Sequence, residues 1–153
     1  MVNDLDSSQV WSGFRVAKRA DVLNRVINSL VDNSVHFSAA HNGFKKQRVD
    51  CIHYRDWFIK KDSVIVTDKL VGNYINASGN LHLHPEIKVV SVTDKQVLLA
   101  SHEYNIVMEV SGSNVSIENT TWHPEFGITI NNKKLSFAFT HSTLTIAITW
   151  HKK

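Results

Sequence analysis

The sequence predicts an all-β protein folded as an antiparallel β-sandwich, and three observations support that fold class. Apolar residues recur with period two along most of the chain, as they do on strands that bury one face. β-branched and aromatic residues are frequent in the same segments. Turn signals separate these segments at intervals of about 8 to 12 residues, a spacing typical of sandwiches.

The clearest alternation lies near the C-terminus, in segments 135–139 and 144–150. Each places large apolar side chains on one face, which a sandwich buries between two sheets roughly 10 Å apart. We therefore predict six inward-facing residues: Leu135, Phe137, Phe139, Leu144, Ile146 and Ile148.

The remaining elements follow from the same pattern and from polar turns. Strands are predicted at 14–20, 22–31, 34–40, 52–59, 63–70, 74–84, 87–92, 96–101, 104–110, 114–118, 126–130, 135–139 and 144–150. Turns are predicted at 32–34, 60–62, 72–73, 93–95, 111–113 and 131–134. Segment 20–31 also has an amphipathic pattern that a helix could share, but its Val, Ile and Asn residues are poor helix formers.

Size and composition indicate one folded unit. The 153 residues carry 42% apolar and 20% charged side chains, and no repeat or linker divides them, so 1–153 is predicted to be a single β-sandwich domain.

The net charge of +3 is too small and too dispersed to indicate binding of nucleic acid. No apolar run approaches the ~18 residues of a membrane span. The single cysteine, Cys51, excludes an internal disulfide, and localisation stays open.

The stretch LHLHP, residues 81–85, carries the first candidate site. On a strand, His82 and His84 share one face, as two ligands of a catalytic metal would. A cupin-type metal motif would place a glutamate four residues after the second histidine, where this chain has Lys88; Glu86 is closer but lies across Pro85. Histidines that are solvated at the end of a strand are the alternative, and we predict that the chain holds no metal.

Two further stretches carry candidate chemistry. In HPEFG, residues 123–127, His123 and Glu125 could form an acid–base pair, or they could be ordinary loop residues. In FRVAKRA, residues 14–20, alternation places Arg15 and Arg19 on one face and Phe14 on the other. The two guanidinium groups could bind carboxylates or sulfates of an acidic polysaccharide, or they could lie on a solvated sheet face.

Four segments in this order together resemble the C-terminal β-domain of the heparinase II/III-like family. They are SSQVWSGFRVAKRA (7–20), AHNGFKK (40–46), the run from IHYRDWFIKKDSVIVTDKLVG to LHLHP (52–85), and WHPEFG (122–127). The family has an F-R-V-x-R-A strand, an H-[DN]-G-[YF] turn, a strand with an arginine, a strand closing in D-x-[LV]-x-G, and a strand ending in H-x-H-P. The resemblance extends over nearly the whole chain.

The resemblance implies a parent protein with an N-terminal α/α toroid and antiparallel β-sheet domains. Most members are polysaccharide lyases that cleave uronic-acid polymers, such as glycosaminoglycans and alginate, by β-elimination. Tyrosine and histidine transfer the protons there, assisted by an asparagine or a divalent metal. The parent could be periplasmic, secreted or cytoplasmic in a bacterium.

The family's catalytic residues do not map onto this chain. Its toroid supplies the tyrosine and asparagine, and its catalytic histidines lie in an H-x-H-x-D strand and an H-N-T segment that come before the W…F-R-V strand. His41-Asn42-Gly43 is the later turn rather than H-N-T. We therefore expect the chain to be a piece of a larger lyase, inactive alone and without a cofactor of its own. The alternatives are a stand-alone carbohydrate-binding sandwich and a metal-dependent jelly-roll enzyme that uses His82 and His84.

Overall fold

The computed structural model describes residues 1–12, 15–30 and 32–153. Thirteen strands and one short helix follow one another in these ranges. They are β1 (Val10–Ser12), β2 (Arg15–Val16), β3 (Val22–Ser29), β4 (Val35–His41), α1 (Gly43–Lys46), β5 (Cys51–Lys60), β6 (Ser63–Gly72), β7 (Ser78–His82), β8 (Lys88–Val92), β9 (Gln96–Ala100), β10 (Tyr104–Ser111), β11 (Ser113–Trp122), β12 (Ile130–Phe139) and β13 (Thr143–Lys152). No helix in the described ranges is long and apolar enough to span a membrane.

The strands form two packed sheets and a small hairpin, and all pairings are antiparallel. The large sheet has the order β3-β4-β5-β6-β13-β10-β9-β8, the small sheet has the order β11-β12-β7, and β1 pairs with β2. The all-β antiparallel sandwich predicted from the sequence is confirmed.

The main core lies between the small sheet and one half of the large sheet. Phe137 and Leu135 of β12 pack against Met108 of β10 and Leu144 of β13, and each of these side chains is at most 1% exposed. Phe139 and Ile148 pack at the margin of the same cluster, and Ile146 is part of it. The six residues predicted to face inward therefore all contribute to this core, which is stabilised by the removal of apolar surface from water.

The two halves of the large sheet are covered differently. We call β8, β9, β10 and β13 the covered half, since the small sheet packs on their inward face. We call β3, β4, β5 and β6 the open half. A second, smaller apolar cluster fills only the margin of the open half, around Val2, Phe44, Cys51 and Leu70.

The predicted turn at 131–134 is wrong, because these residues lie inside β12. They pair in register with β11, and the Lys134 ammonium lies 3.0 Å from the carboxylate of Glu118 on the residue directly opposite. Asn132 donates a 2.8 Å hydrogen bond to the Leu83 carbonyl. Cross-strand pairing therefore outweighs the local turn preference of asparagine. The predicted strand at 126–130 is mostly the loop before β12, which begins at Ile130.

Other predicted elements are present with different bounds. Segment 20–31 is a strand, β3, as predicted, although residue 31 lies outside the described residues. Segment 74–84 contributes only β7, because residues 75 and 76 bond instead to the side chain of Asn3. Segment 40–46 contains the one-turn helix α1.

Candidate functional site

The open half of the large sheet carries a cavity of about 410 Å³ on its inward face. Strands β4, β5 and β6 form its floor, and Met1, Ser78 and Phe139 lie on the opposite side. The cavity is thus the continuation of the sandwich core at the place where the small sheet ends. Its lining combines apolar side chains with a group of charged and polar ones, whereas the core beside it is almost entirely apolar.

Four side chains from three adjacent strands meet in the cavity, and we call them the polar cluster: His41, His53, Arg55 and Asp68. The register of the three strands explains why these four side chains lie together. His41 pairs with His53 across β4 and β5, and Arg55 pairs with Asp68 across β5 and β6. Since residues directly opposite one another have their Cβ atoms about 5 Å apart, the four side chains contact one another on one face.

Asp68 is the centre of the polar cluster. Its side chain is only 5% exposed, and both carboxylate oxygens accept hydrogen bonds from Arg55: Nε lies 2.5 Å from Oδ1 and Nη2 lies 3.0 Å from Oδ2. His53 Nε2 lies 2.5 Å from Oδ1 as well. The fork of Arg55 matches the carboxylate geometrically, which fixes the guanidinium group in one orientation.

The two histidines form a directed chain of hydrogen bonds. The Gly43 amide donates to Nδ1 of His41 at 3.2 Å, so neutral His41 carries its proton on Nε2. That nitrogen lies 2.9 Å from Nδ1 of His53 and donates to it. His53 in turn carries its proton on Nε2 and donates to Asp68. We assign these tautomers from the network.

The protonation states follow from this environment. Burial lowers the pKa of His41 to about 4, with smaller contributions from the neighbouring His53 and from the positive charge of Arg55, so His41 is neutral at pH 7. Burial alone would raise the pKa of Asp68, but the hydrogen bonds from His53 and Arg55 outweigh it, and the pKa is lowered. At neutral pH the Arg55 and Asp68 charges cancel.

An aromatic pair extends the polar cluster along β5. The Arg55 guanidinium carbon lies 5.7 Å from the centroid of the Trp57 ring, and Trp57 stacks on Phe37 with ring centroids 4.7 Å apart. The contact of Arg55 with Trp57 adds cation–π stabilisation. Arg55 is therefore fixed from two sides while its side chain stays 42% exposed.

This arrangement favours positioning over acid–base catalysis. Every ring nitrogen of His41 and His53 already has a hydrogen-bond partner, so neither imidazole has a nitrogen available to a substrate proton. The remaining N–H groups of Arg55 point away from its fork with Asp68. The polar cluster can therefore present an oriented guanidinium edge at the cavity.

The structure separates the two arginines that the sequence places on one strand face. β2 contains only Arg15 and Val16, so Arg19 lies beyond the strand and the predicted strand 14–20 is wrong in its length. A two-residue strand in an irregular hairpin has too few ladder bonds to continue the alternation. Both arginines are exposed, and Phe14 lies outside the described residues.

The histidines of LHLHP do not lie on one strand either. β7 ends at His82, and His84 follows in the loop before Pro85. The His84 ring packs edge-on against Trp122 at 4.8 Å, and its Nδ1 lies 3.7 Å from the Glu86 carboxylate. Within the described residues, no group of three or more His, Cys, Asp or Glu side chains has the geometry of a metal site.

His123 lies between two threonine hydroxyls in the loop that joins β11 and β12. Its two ring nitrogens lie 3.0 Å and 3.2 Å from the hydroxyls of Thr121 and Thr129, which fixes the loop between β11 and β12. The acid–base pair with Glu125 stays a prediction. Sequence reasoning missed the polar cluster, whose only signal was the alternation of His53 and Arg55 on β5 opposite an aspartate on β6.

Known proteins share this fold. The heparan sulfate lyase HepC from Pedobacter heparinus superposes with a TM-score of 0.66 at 13% identity, over 88% of this chain and 22% of HepC, and a mutant of HepC gives the same values. A heparinase III, the BT4657 gene product with methylated lysines, superposes with a TM-score of 0.61 at 18% identity, over 79% of this chain and 20% of that protein. The chain thus spans about a fifth of the length of these structures.

Sequence comparison agrees with the resemblance of the motifs. A search of curated proteins finds no matching sequence. The profile described as "Heparinase II/III-like, C-terminal" matches residues 1–151, which is nearly the entire chain. The protein therefore belongs to the heparinase II/III-like C-terminal domain family.

Proposed function

We propose that residues 1–153 form the C-terminal β-domain of a larger polysaccharide lyase, which cleaves uronic-acid-containing polysaccharide by β-elimination, and that this domain alone is inactive. The observation that carries the proposal is the family match over residues 1–151. The solved structures with this fold include heparan sulfate lyases, which supports a glycosaminoglycan as the substrate class. In this proposal the catalytic groups lie in the rest of the polypeptide, and the fact that the chain spans about a fifth of those structures leaves room for them.

The chemistry of the cavity supports inactivity of the isolated domain. β-Elimination needs a group that neutralises the uronate, a base and an acid, all within hydrogen-bond reach of one sugar. The polar cluster offers Arg55 for the first task, but both histidines are bonded to other protein groups. The partner that supplies the missing groups in this proposal is an N-terminal α/α toroid of the same polypeptide, as the family resemblance implies.

The test is an assay of the purified chain on heparan sulfate, heparin, alginate and hyaluronan. The unsaturated uronate formed by β-elimination absorbs in the ultraviolet, and we expect no increase in absorbance with the isolated chain. The natural polypeptide that contains the toroid is the positive control and should cleave at least one of these polymers. Measurable turnover by the isolated chain would contradict the proposed inactivity. Activity that is lost with a chelator and in a His82→Ala variant would favour the jelly-roll alternative.

Weak binding of acidic polysaccharide to Arg15 and Arg19 is a second, separate prediction. Both side chains are exposed near one hairpin and can bind sulfates or carboxylates. We expect an Arg15→Ala, Arg19→Ala double variant to bind heparin several-fold more weakly than the parent chain. The binding should also weaken with salt, because the Debye length falls below ~10 Å above 0.1 M.

An Arg25→Ala, Arg48→Ala double variant is the matched control, since it removes the same charge from two other exposed arginines. Affinity chromatography on heparin and isothermal titration would measure the difference. Equal losses in the two double variants would show that only net charge matters and would remove the specific role of Arg15 and Arg19.

A further inference from the structure

The small sheet has an edge strand whose outer side carries exposed backbone. β7 is the last strand in the order β11-β12-β7, and residues Asn80, Leu81 and His82 are exposed. An exposed strand edge is a template for pairing with another strand, because its N–H and C=O groups have no ladder partner. The outer edge of β7 is therefore open to pairing with a further strand.

Hydrogen bonding alternates along β7 and identifies the groups at the outer edge. The Leu83 amide donates to the Lys133 carbonyl, so odd-numbered residues of this segment bond towards β12. The even-numbered residues Asn80 and His82 therefore direct their N–H and C=O groups away from β12. Among the described residues, these backbone groups have no hydrogen-bond partner.

The same edge already holds a partner over its first part. The Ser78 amide donates to the Met1 carbonyl at 3.0 Å, and the Met1 amino group donates back to the Ser78 carbonyl at 2.6 Å. The Asn3 amide donates to the Asn76 carbonyl at 3.0 Å. Residues 1–3 thus begin an antiparallel ladder along β7, and the direction of that ladder continues past Ser78 towards Asn80 and His82.

An inward-facing side chain of β7 indicates that this part of the core is not fully covered. Leu81 pairs with Leu135, whose side chain is fully buried in the core, so Leu81 points to the same inward face. Leu81 is nonetheless 36% exposed. Met1 and Val2 line the cavity, so a strand in line with them would extend the small sheet over the cavity and the polar cluster.

We propose that a further strand of the larger lyase polypeptide pairs antiparallel with β7 at Asn80 and His82, as a continuation of the ladder begun by residues 1–3. In an antiparallel ladder, the residues opposite Asn80 and His82 are those that precede Met1 in the longer polypeptide. The occupant is therefore the segment directly before Met1, and the pairing of Met1 with Ser78 fixes its direction and register. This inference rests on the proposed function, which supplies the longer polypeptide. Such β-augmentation uses main-chain hydrogen bonds and closes the edge.

Amide hydrogen exchange in the isolated chain and in the longer natural polypeptide tests the pairing. We expect the amides of Asn80 and His82 to exchange at least about tenfold more slowly in the longer polypeptide, because the added strand accepts their hydrogen bonds. The amide of Leu81 faces β12 and should be protected in both. Fast exchange of Asn80 and His82 in the longer polypeptide would overturn the proposal, as would a natural polypeptide that begins at Met1.

Proline variants provide a second measurement. Asn80→Pro removes an amide that faces the outer edge, so it should hardly change the melting temperature of the isolated chain but should lower that of the longer polypeptide. Asn80→Ala is the matched control, since it loses the side-chain contact with Ser136 but keeps the amide. Leu81→Pro removes a ladder bond to β12 and should destabilise both proteins.

The outcomes distinguish this inference from the proposed function. A longer polypeptide that cleaves polysaccharide while Asn80 and His82 exchange freely would overturn only the added strand. Protection of these amides in a polypeptide without lyase activity would support the added strand and contradict the proposed function. An Asn80→Pro variant that melts like Asn80→Ala in the longer polypeptide would also overturn the strand.

Discussion

The covered and open halves of the large sheet are stabilised in different ways, although one continuous sheet contains both. In the covered half, Met108 and Leu144 contact Phe137 and Leu135 of the small sheet, and the side chains between them are almost entirely apolar. In the open half, the corresponding face carries His41, His53, Arg55 and Asp68 around a cavity. Burial of apolar surface stabilises one half, and directed hydrogen bonds order the other.

The difference indicates that the polar cluster of the open half is not arranged for maximal stability. Replacing even a fully buried ion pair by apolar residues is often neutral or stabilising, so the Asp68–Arg55 fork, in which only Asp68 is buried, is weak evidence for a purely stabilising role. The fork does fix the direction of Arg55 at the cavity. Three predictions test whether the two halves respond to substitution as this comparison requires.

The largest effect is expected in the covered half. Phe137→Ala removes a ring that is 1% exposed and leaves a cavity between the sheets, so we expect a loss of about 3–5 kcal/mol in the free energy of unfolding. Phe126→Ala is the matched control, because that ring is fully exposed and its removal should change the stability by less than about 0.5 kcal/mol. Urea denaturation followed by tryptophan fluorescence measures both. Equal effects of the two variants would show that the small sheet does not cover this half.

Removal of the central carboxylate of the polar cluster should have an intermediate effect. Asp68→Asn keeps the shape of the side chain but places an amide NH₂ group against the N–H groups of Arg55 and His53, so hydrogen bonds are lost. We expect the free energy of unfolding to fall by about 2 kcal/mol. The loss is smaller than for a fully buried pair, because Arg55 is 42% exposed and can bind water instead.

Asp56→Asn is the control for this substitution, since Asp56 pairs with His36 at 3.0 Å in the same sheet. That pair is more exposed, with side-chain exposures of 38% for His36 and 47% for Asp56, and should contribute less than about 1 kcal/mol. Denaturation of the two variants under identical conditions gives the comparison. A smaller loss for Asp68→Asn than for Asp56→Asn would contradict the central position of Asp68.

The sequence predicts the covered half better than the open half, for a physical reason. Alternation identifies Phe137 and Leu144 as inward-facing, because burial depends only on which face of a strand a residue occupies. The polar cluster depends on register across three strands. The turn between β5 and β6 consists of two residues, which places Arg55 opposite Asp68. A three-residue turn at 60–62, as predicted, would shift Arg55 to face Thr67.

The predictions that were wrong concern residues whose conformation depends on partners distant in the sequence. The asparagines at 131 and 132 favour a turn locally, but their pairing with β11 keeps them in a strand. The arginine pair at 15 and 19 needed a longer strand than β2 provides. The family motifs located the H-[DN]-G turn and the strand with an arginine, yet the contact of His41 with His53 appears only when β4 and β5 are aligned.

The smallest effect concerns the pH dependence of stability and arises from His41. Its pKa is about 4 in the folded chain and near 6.5 when the chain is unfolded. The unfolded chain therefore takes up a proton before the folded chain does, and stability falls as pH decreases from about 6.5 to about 4. Because the ring is partly exposed, solvent screening reduces this contribution to about 1–2 kcal/mol. Folding also lowers the pKa of Asp68. The contribution of Asp68 to stability is therefore lost only as pH falls below its unfolded value of 3.8, which is outside this pH range.

A His41→Asn variant should remove most of this pH dependence. An added proton has no place in the cluster of the parent chain, because His41 Nδ1 already accepts from Gly43 and Nε2 already donates to His53. Urea denaturation at several pH values between 4 and 7 would measure the slope of the unfolding free energy in both proteins. The other titratable and charged groups that face His41 are His53, the Met1 amino group, Arg55 and Asp68, and all four residues are kept in the variant. A slope that persists unchanged in His41→Asn would show that another group governs acid destabilisation, and that the hydrogen-bond chain from Gly43 to Asp68 does not exclude the proton.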